Sequence, residues 1–157
     1  MPRSYRIANY RVSLVREGTS TIRNKMVDTP RKAAAAARAI CPPDLDREHI
    51  YVMLVNVRKQ LIATQLVSIG HVSGAVVHPR EVFKPAILAG AAAVILVHNH
   101  PSGDAEPSAE DETLTRRLYS AGVLLGIELL DHIVLASGSD RIANKRWVSL
   151  KELGRVF

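Results

Sequence analysis

The stretch AAAVILVHNHPSGDAEPSAEDETLTRRL, residues 91–118, decides the fold. Residues 91–97 are a continuous apolar run, the pattern of a strand buried on both faces. His98-Asn99-His100 closes the run, and a polar loop rich in proline and glycine follows to Pro107. Ser108 stands where a helix N-cap belongs. The helix behind it is expected to run towards residues 119–121, with Gly122 near its end. Strand, loop and capped helix in this order are a building unit of an α/β sheet.

The same pattern extends outward. A helix is expected from Pro79 to residue 88 or 89, ended by Gly90. Residues 50–57 and 61–69 are β-rich runs, and Arg58-Lys59-Gln60 between them reads as a hairpin turn. Residues 128–136 form another expected strand, with a turn at 137–140. Near the N-terminus, Tyr10, Val12 and Leu14 alternate with polar neighbours, as in a half-buried strand. Thr29-Pro30 reads as an N-cap and first helical residue, opening a helix to about Ile40 that Cys41-Pro42-Pro43 stops. The expected organisation is a basic N-terminal segment of strand plus helix over residues 1–43. An α/β domain over 44–157 follows, with a central mixed sheet flanked by helices.

At 157 residues and 47% hydrophobic side chains, the chain suits one domain with a sizeable core. Its longest apolar run, residues 86–97, falls short of the roughly 18 residues a membrane span needs, so no membrane role is expected. The start, MPRSYRIANYRV, has positive charge but no apolar region behind it, unlike a secretory signal. Cys41 is the single cysteine and excludes an internal disulfide. A cytoplasmic protein is expected. The net charge of +6 is unevenly spread: residues 1–40 hold nine Lys/Arg against two Asp/Glu, the remainder twelve against thirteen. Such an arm suits an acidic partner, nucleic acid among them, or simply a solvated face.

The chemistry concentrates between His98 and Asp111. Two histidines one strand repeat apart project to one face, while Asn99 points to the other. They also lie at the carboxyl end of a strand, where open α/β sheets form their crevices. Asp111, three places after Ser108, sits in the first turn of the next helix, facing back towards the histidines. Ser108-x-x-Asp111 is also the spacing of a capping box, with Asp in place of Glu. Two imidazoles and a carboxylate suit catalytic zinc, because three protein ligands leave a fourth tetrahedral position for water.

His98-x-His100, seven further residues, then Ser108-x-x-Asp111 resembles the core motif of the JAMM (JAB/MPN) metallohydrolases. The longer strings HNHPSGDAEPSAED, HPREVFKPAILAGAAAVILVHNHPSG and LLGIELLDHIVL look like the RadC-like branch. The resemblance covers about residues 44–150. It implies zinc on His98, His100 and Asp111 in a cytidine-deaminase-like α/β fold and a peptidase- or isopeptidase-like hydrolysis, without specifying which peptide or conjugate is the substrate. It also implies an upstream glutamate acting as general base, a position that Glu48 matches. Glu81 is the rival, read instead as a helix-start acid or a partner for Lys84. Ser108 would hydrogen-bond the oxyanion as a carbonyl becomes tetrahedral. His132 lies where RadC-like sequences also have an Asp-His pair. It is either a group supporting the ligands or a satisfied core histidine. His49, His71 and His78 carry no functional expectation, and Cys41 reads as a small buried side chain.

Rival motifs are absent. A zinc deaminase requires H-x-E with P-C-x-x-C, and this chain has one cysteine. The helical H-E-x-x-H of common zinc proteases does not occur. The tripeptide His98-Asn99-His100 is unrelated to HNH nucleases, whose three residues are dispersed over a ββα unit. The RadC name carries a traditional link to DNA repair, so a DNA-associated accessory protein with structural or vestigial zinc is the alternative function. RadC-like proteins can carry an N-terminal helix-hairpin-helix region, but the first forty residues lack its glycine-containing hairpin pattern.

Overall fold

The computed structural model describes residues 4–42, 45–70, 77–137 and 147–157. The chain order is α1 (Pro30–Ile40), β1 (His49–Val55), β2 (Leu61–Ile69), α2 (Pro79–Leu88), β3 (Ala93–His100), α3 (Ala109–Leu125), β4 (Glu128–Ala136), β5 (Trp147–Ser149) and α4 (Leu150–Leu153). The five strands form one mixed sheet in the order β2-β1-β3-β4-β5. Only β3 and β4 run parallel, and α3 makes the crossover between them. The expected turn at 137–140 lies outside the described residues beyond Ser137.

Strand alternation divides the core in two. Met53, Val55, Ile95, Val97, Ile133 and Leu135 face α1, whose small Ala33, Ala34, Ala36 and Ala37 let the helix sit close on the sheet. Val52, Leu54, Val94, Leu96 and Leu129 face α2 and α3 through Val82, Phe83, Leu114 and Leu118. The N-terminal helix is therefore packed into the same core as the strands that follow position 44. The middle strand β3 is covered on both faces, as its apolar run requires.

Local signals explain most boundaries. Thr29 accepts a hydrogen bond from the Lys32 N–H and Pro30 opens α1. The β1–β2 turn is closed by the Asn56 side chain, which accepts from the Arg58 and Gln60 N–H groups. Lys59 takes the left-handed conformation there, with φ of 59°. β1 and β2 begin and end within two residues of expectation, and α2 ends at Leu88 with Gly90 just beyond.

Two expectations are corrected. No strand forms at residues 10–14, where Tyr10 is 88% exposed and Val12 and Leu14 also face solvent. Alternation makes a strand only where a partner supplies hydrogen bonds and an apolar face. The chain's first pairing, in the described residues, is the bridge between Met26 and Gln60. The second correction concerns α3, which continues to Leu125, past Gly122. Gly122 does not stop the helix; it lets it approach the sheet, since a Cβ there would meet the Ile127 carbonyl oxygen at 2.5 Å. Gly126, with φ of 69°, is the left-handed C-cap.

The short β5 and α4 had no sequence signal. Leu150 of α4 packs with Val134 and with Ala105 of the long loop, and Arg155 pairs with Glu106 at 2.7 Å. The C-terminal segment thus holds the loop that joins the two histidines to α3. Among the described residues, no helix is long and apolar enough to cross a membrane.

Candidate metal centre

β3 carries both histidines on its α3 face, and the period of two turns Asn99 to the α1 face. His98 is fully buried and His100 partly so, since it lies on the strand's last residue. The loop then turns back on itself: the His100 carbonyl accepts from the Gly103 and Ser137 N–H groups. His100 Nδ1 donates to the Asp104 carbonyl at 2.7 Å, which leaves Nε2 facing inward.

Asp111 reaches the same point from the first turn of α3. The capping box is present: the Ser108 hydroxyl accepts from the Asp111 N–H, and Asp111 Oδ2 accepts from the Ser108 N–H. The Ser108 hydroxyl also donates to Oδ2, at 2.8 Å. Capping and candidate ligation are therefore carried by the same carboxylate: Oδ2 serves the cap and also lies 3.4 Å from His100 Nε2, while Oδ1 faces His98. Oδ1 is buried and accepts no directed hydrogen bond. It lies 3.2 Å from His98 Nε2, off the line of a hydrogen bond.

The three groups converge closely. The two Nε2 atoms are 2.9 Å apart, and the three candidate donor atoms all lie within 4.8 Å of one another. Two imidazole nitrogens and an orphaned carboxylate oxygen can hold a metal ion, and this donor set fits zinc. Burial alone would raise the Asp111 carboxyl. The imidazoles of His100 and His98 and the Ser108 N–H outweigh it and hold the group well below the usual carboxylate range. Burial would likewise lower His100, but Asp111, the Asp104 carbonyl and the charge of Glu48 raise it overall.

Glu48 directly precedes β1 and is half-buried. Ile50 pairs with His98, so the antiparallel register continued by two places sets Glu48 opposite His100, on the site face. Its backbone is fixed on three sides. The Glu48 carbonyl accepts from the Gly70 N–H, while the buried Asn99 side chain accepts from the His49 N–H and donates to the Arg47 carbonyl. Asn99 therefore ties the strand that carries the histidines to both neighbours of Glu48, a role that strand alternation alone does not reveal. Glu81 lies elsewhere, in the first turn of α2, paired with Lys84 at 2.7 Å. His78 is the N-cap of α2, and Cys41 is buried, its thiol pushed up to about 11 by burial. His132 is buried beside His98, and burial holds its imidazole well below the ordinary value.

Residues 27–155 match the family model described as the RadC-like JAB domain. The chain belongs to the RadC-like JAB domain family. The match begins before α1, in keeping with the place of that helix in the core. A UPF0758 protein of Desulforamulus reducens is 50% identical over 113 residues, covering 72% of this chain and 47% of the relative. UPF0758 protein YsxA of Bacillus subtilis is 50% identical over 110 residues, 70% of this chain and 45% of that protein. A UPF0758 protein of Chlorobium chlorochromatii is 43% identical over 112 residues, 71% of this chain and 47% of its own length. This RadC-like chain spans about half the length of the curated relatives it matches.

The depressed Asp111 carboxyl has a consequence for stability. Its folded value lies below the unfolded value near 3.8. The stability contributed by its charge is thus present above that pH and lost as pH falls through and below it. In metal-free protein, Asp111→Asn keeps the side-chain shape and the cap. Its urea-unfolding free energy should fall less steeply than wild type between about pH 4 and 2. Identical slopes in the two proteins would contradict the assignment.

Proposed function

We propose that the chain is a zinc-dependent hydrolase of amide bonds, a peptidase or isopeptidase of the JAMM type, with His98, His100 and Asp111 as ligands. The single observation that carries this reading is the buried convergence of two ring nitrogens on a carboxylate oxygen that has no hydrogen bond. Membership of the RadC-like JAB family supports it. Bound zinc supplies a Lewis acid and lowers the pKa of water to about 7.

The chain's own residues do the rest. Glu48, set opposite His100, accepts a proton from the attacking water and returns it to the leaving amine. Ser108 donates to the substrate oxygen as the carbonyl carbon becomes tetrahedral. Its hydroxyl swings away from Asp111 Oδ2 to do so, and the Ser108 N–H keeps that oxygen satisfied. The contact with the Asp104 carbonyl holds His100 in place throughout.

Glu48→Gln should bind zinc as wild type does, while losing at least about 100-fold in turnover of a fluorogenic peptide library or isopeptide-linked conjugates. Unchanged turnover in that variant removes Glu48 from the mechanism. Zinc-loaded wild type that cleaves no amide in either set contradicts the hydrolase reading.

A second reading, DNA association, draws on one further observation. Arg23, Arg31 and Lys32 line an open groove between the basic arm and α1, and Lys32 is already paired with Asp28 at 2.8 Å. Phosphate contacts there would make binding fall steeply with salt. Replacing Arg23 and Arg31 with Gln should then weaken duplex DNA binding and flatten its salt slope by about one to two units. Equal binding and an equal slope would exclude the groove.

A further inference from the structure

Behind the three candidate ligands lie two fully buried polar side chains, His132 and Thr115. His132 comes from β4, in register with Leu96 of β3, and Thr115 stands one turn beyond Asp111 on α3. His98 Nδ1 is 2.8 Å from His132 Nε2. His132 Nδ1 is 2.6 Å from Thr115 Oγ1, and Thr115 Oγ1 is 2.6 Å from the Asp111 carbonyl oxygen. The chain of contacts leaves one candidate ligand and ends on the backbone of another.

Its direction follows from what each atom can do. A carbonyl oxygen only accepts. Two oxygens at 2.6 Å must share a proton, and the hydroxyl alone has one, so Thr115 donates to Asp111. With its single proton placed there, Thr115 accepts from His132 Nδ1–H. A neutral imidazole has one N–H, and the fully buried His132 ring, hydrogen-bonded to His98 and Thr115 and to no carboxylate, is neutral. His132 Nε2 is then a bare lone pair that accepts from His98 Nδ1–H. His98 Nε2, 2.9 Å from its counterpart on His100, is left without a proton.

We propose that His132 and Thr115 are positioning residues that hold His98 in the Nδ1–H tautomer and so present its Nε2 lone pair to the metal. This rests on the metal reading given above. A ligating histidine usually gives its second N–H to a carboxylate, a carbonyl or water. Here the acceptor is another imidazole, itself oriented by a hydroxyl. His100 reaches the same tautomer through the Asp104 carbonyl. A histidine that merely filled the core would impose no direction on its neighbour.

The test uses the full chain labelled with 15N-histidine and stripped of metal, at about pH 8, above the ordinary histidine range. Long-range 1H–15N correlation should find protonated Nδ1 and bare Nε2 on both His98 and His132. Thr115→Val removes the hydroxyl at nearly constant volume, and Thr115→Ser restores it. Competition with a chromophoric chelator should give zinc affinity weakened about 10–100-fold in Thr115→Val and recovered in Thr115→Ser. Protonated Nε2 on His98 in the wild type overturns the proposal, whatever the folding of the variants. Wild-type affinity in a folded Thr115→Val overturns it too. The expected tautomer in a wild type that binds no zinc would instead defeat the metal reading and leave the tautomer assignment standing.

Discussion

Two imidazole nitrogens 2.9 Å apart face a buried carboxylate oxygen, an arrangement that is favourable only with something positive, a proton or a metal ion, among them. The rest of the site depends on that constraint. Burial in the middle of a mixed sheet removes the water that would otherwise satisfy these groups. The fold therefore has to hold the three atoms together at that point. It does so through strand geometry on one side and helix capping on the other.

Each ligand position is anchored by an interaction with an independent structural reason. His98 and His100 share a face because the strand repeats every two residues. Asp111 is held by the capping box, which uses Oδ2 and leaves Oδ1 free for the cluster. Asn99, on the opposite face, couples the same strand to the backbone on either side of Glu48. The loop between histidines and helix is secured by Ala105 in a small apolar cluster and by the Arg155–Glu106 ion pair. One short segment of β3 thus sets two of the candidate ligands and, through Asn99, the backbone on either side of Glu48.

Much of this was legible in the sequence, because its signals are local. The apolar run before His98, the Ser108 cap, Thr29-Pro30 and the glycine after α2 act within a few residues of themselves, and the elements stand where they point. Two readings went astray because the deciding partner was distant. Alternation at Tyr10, Val12 and Leu14 met no neighbouring strand. The helix after Ser108 runs four residues beyond the expected 119–121, because Gly122 is a contact point against the Ile127 carbonyl and Gly126 supplies the left-handed cap. β5 and α4 were missed since three-residue strands and one-turn helices carry no periodicity. Of the alternatives for Ser108-x-x-Asp111 the cap forms, and it leaves Asp111 Oδ1 unbonded, so it does not exclude ligation. The His132–Thr115 relay joins residues from two elements, and no spacing along the chain encodes it.

Elemental analysis of protein purified without chelators addresses the central claim most directly. The account predicts about one zinc per chain, removed by a strong chelator and regained on titration, and absent from Asp111→Ala. Protein that holds no zinc as purified and takes up none at micromolar concentrations would contradict it.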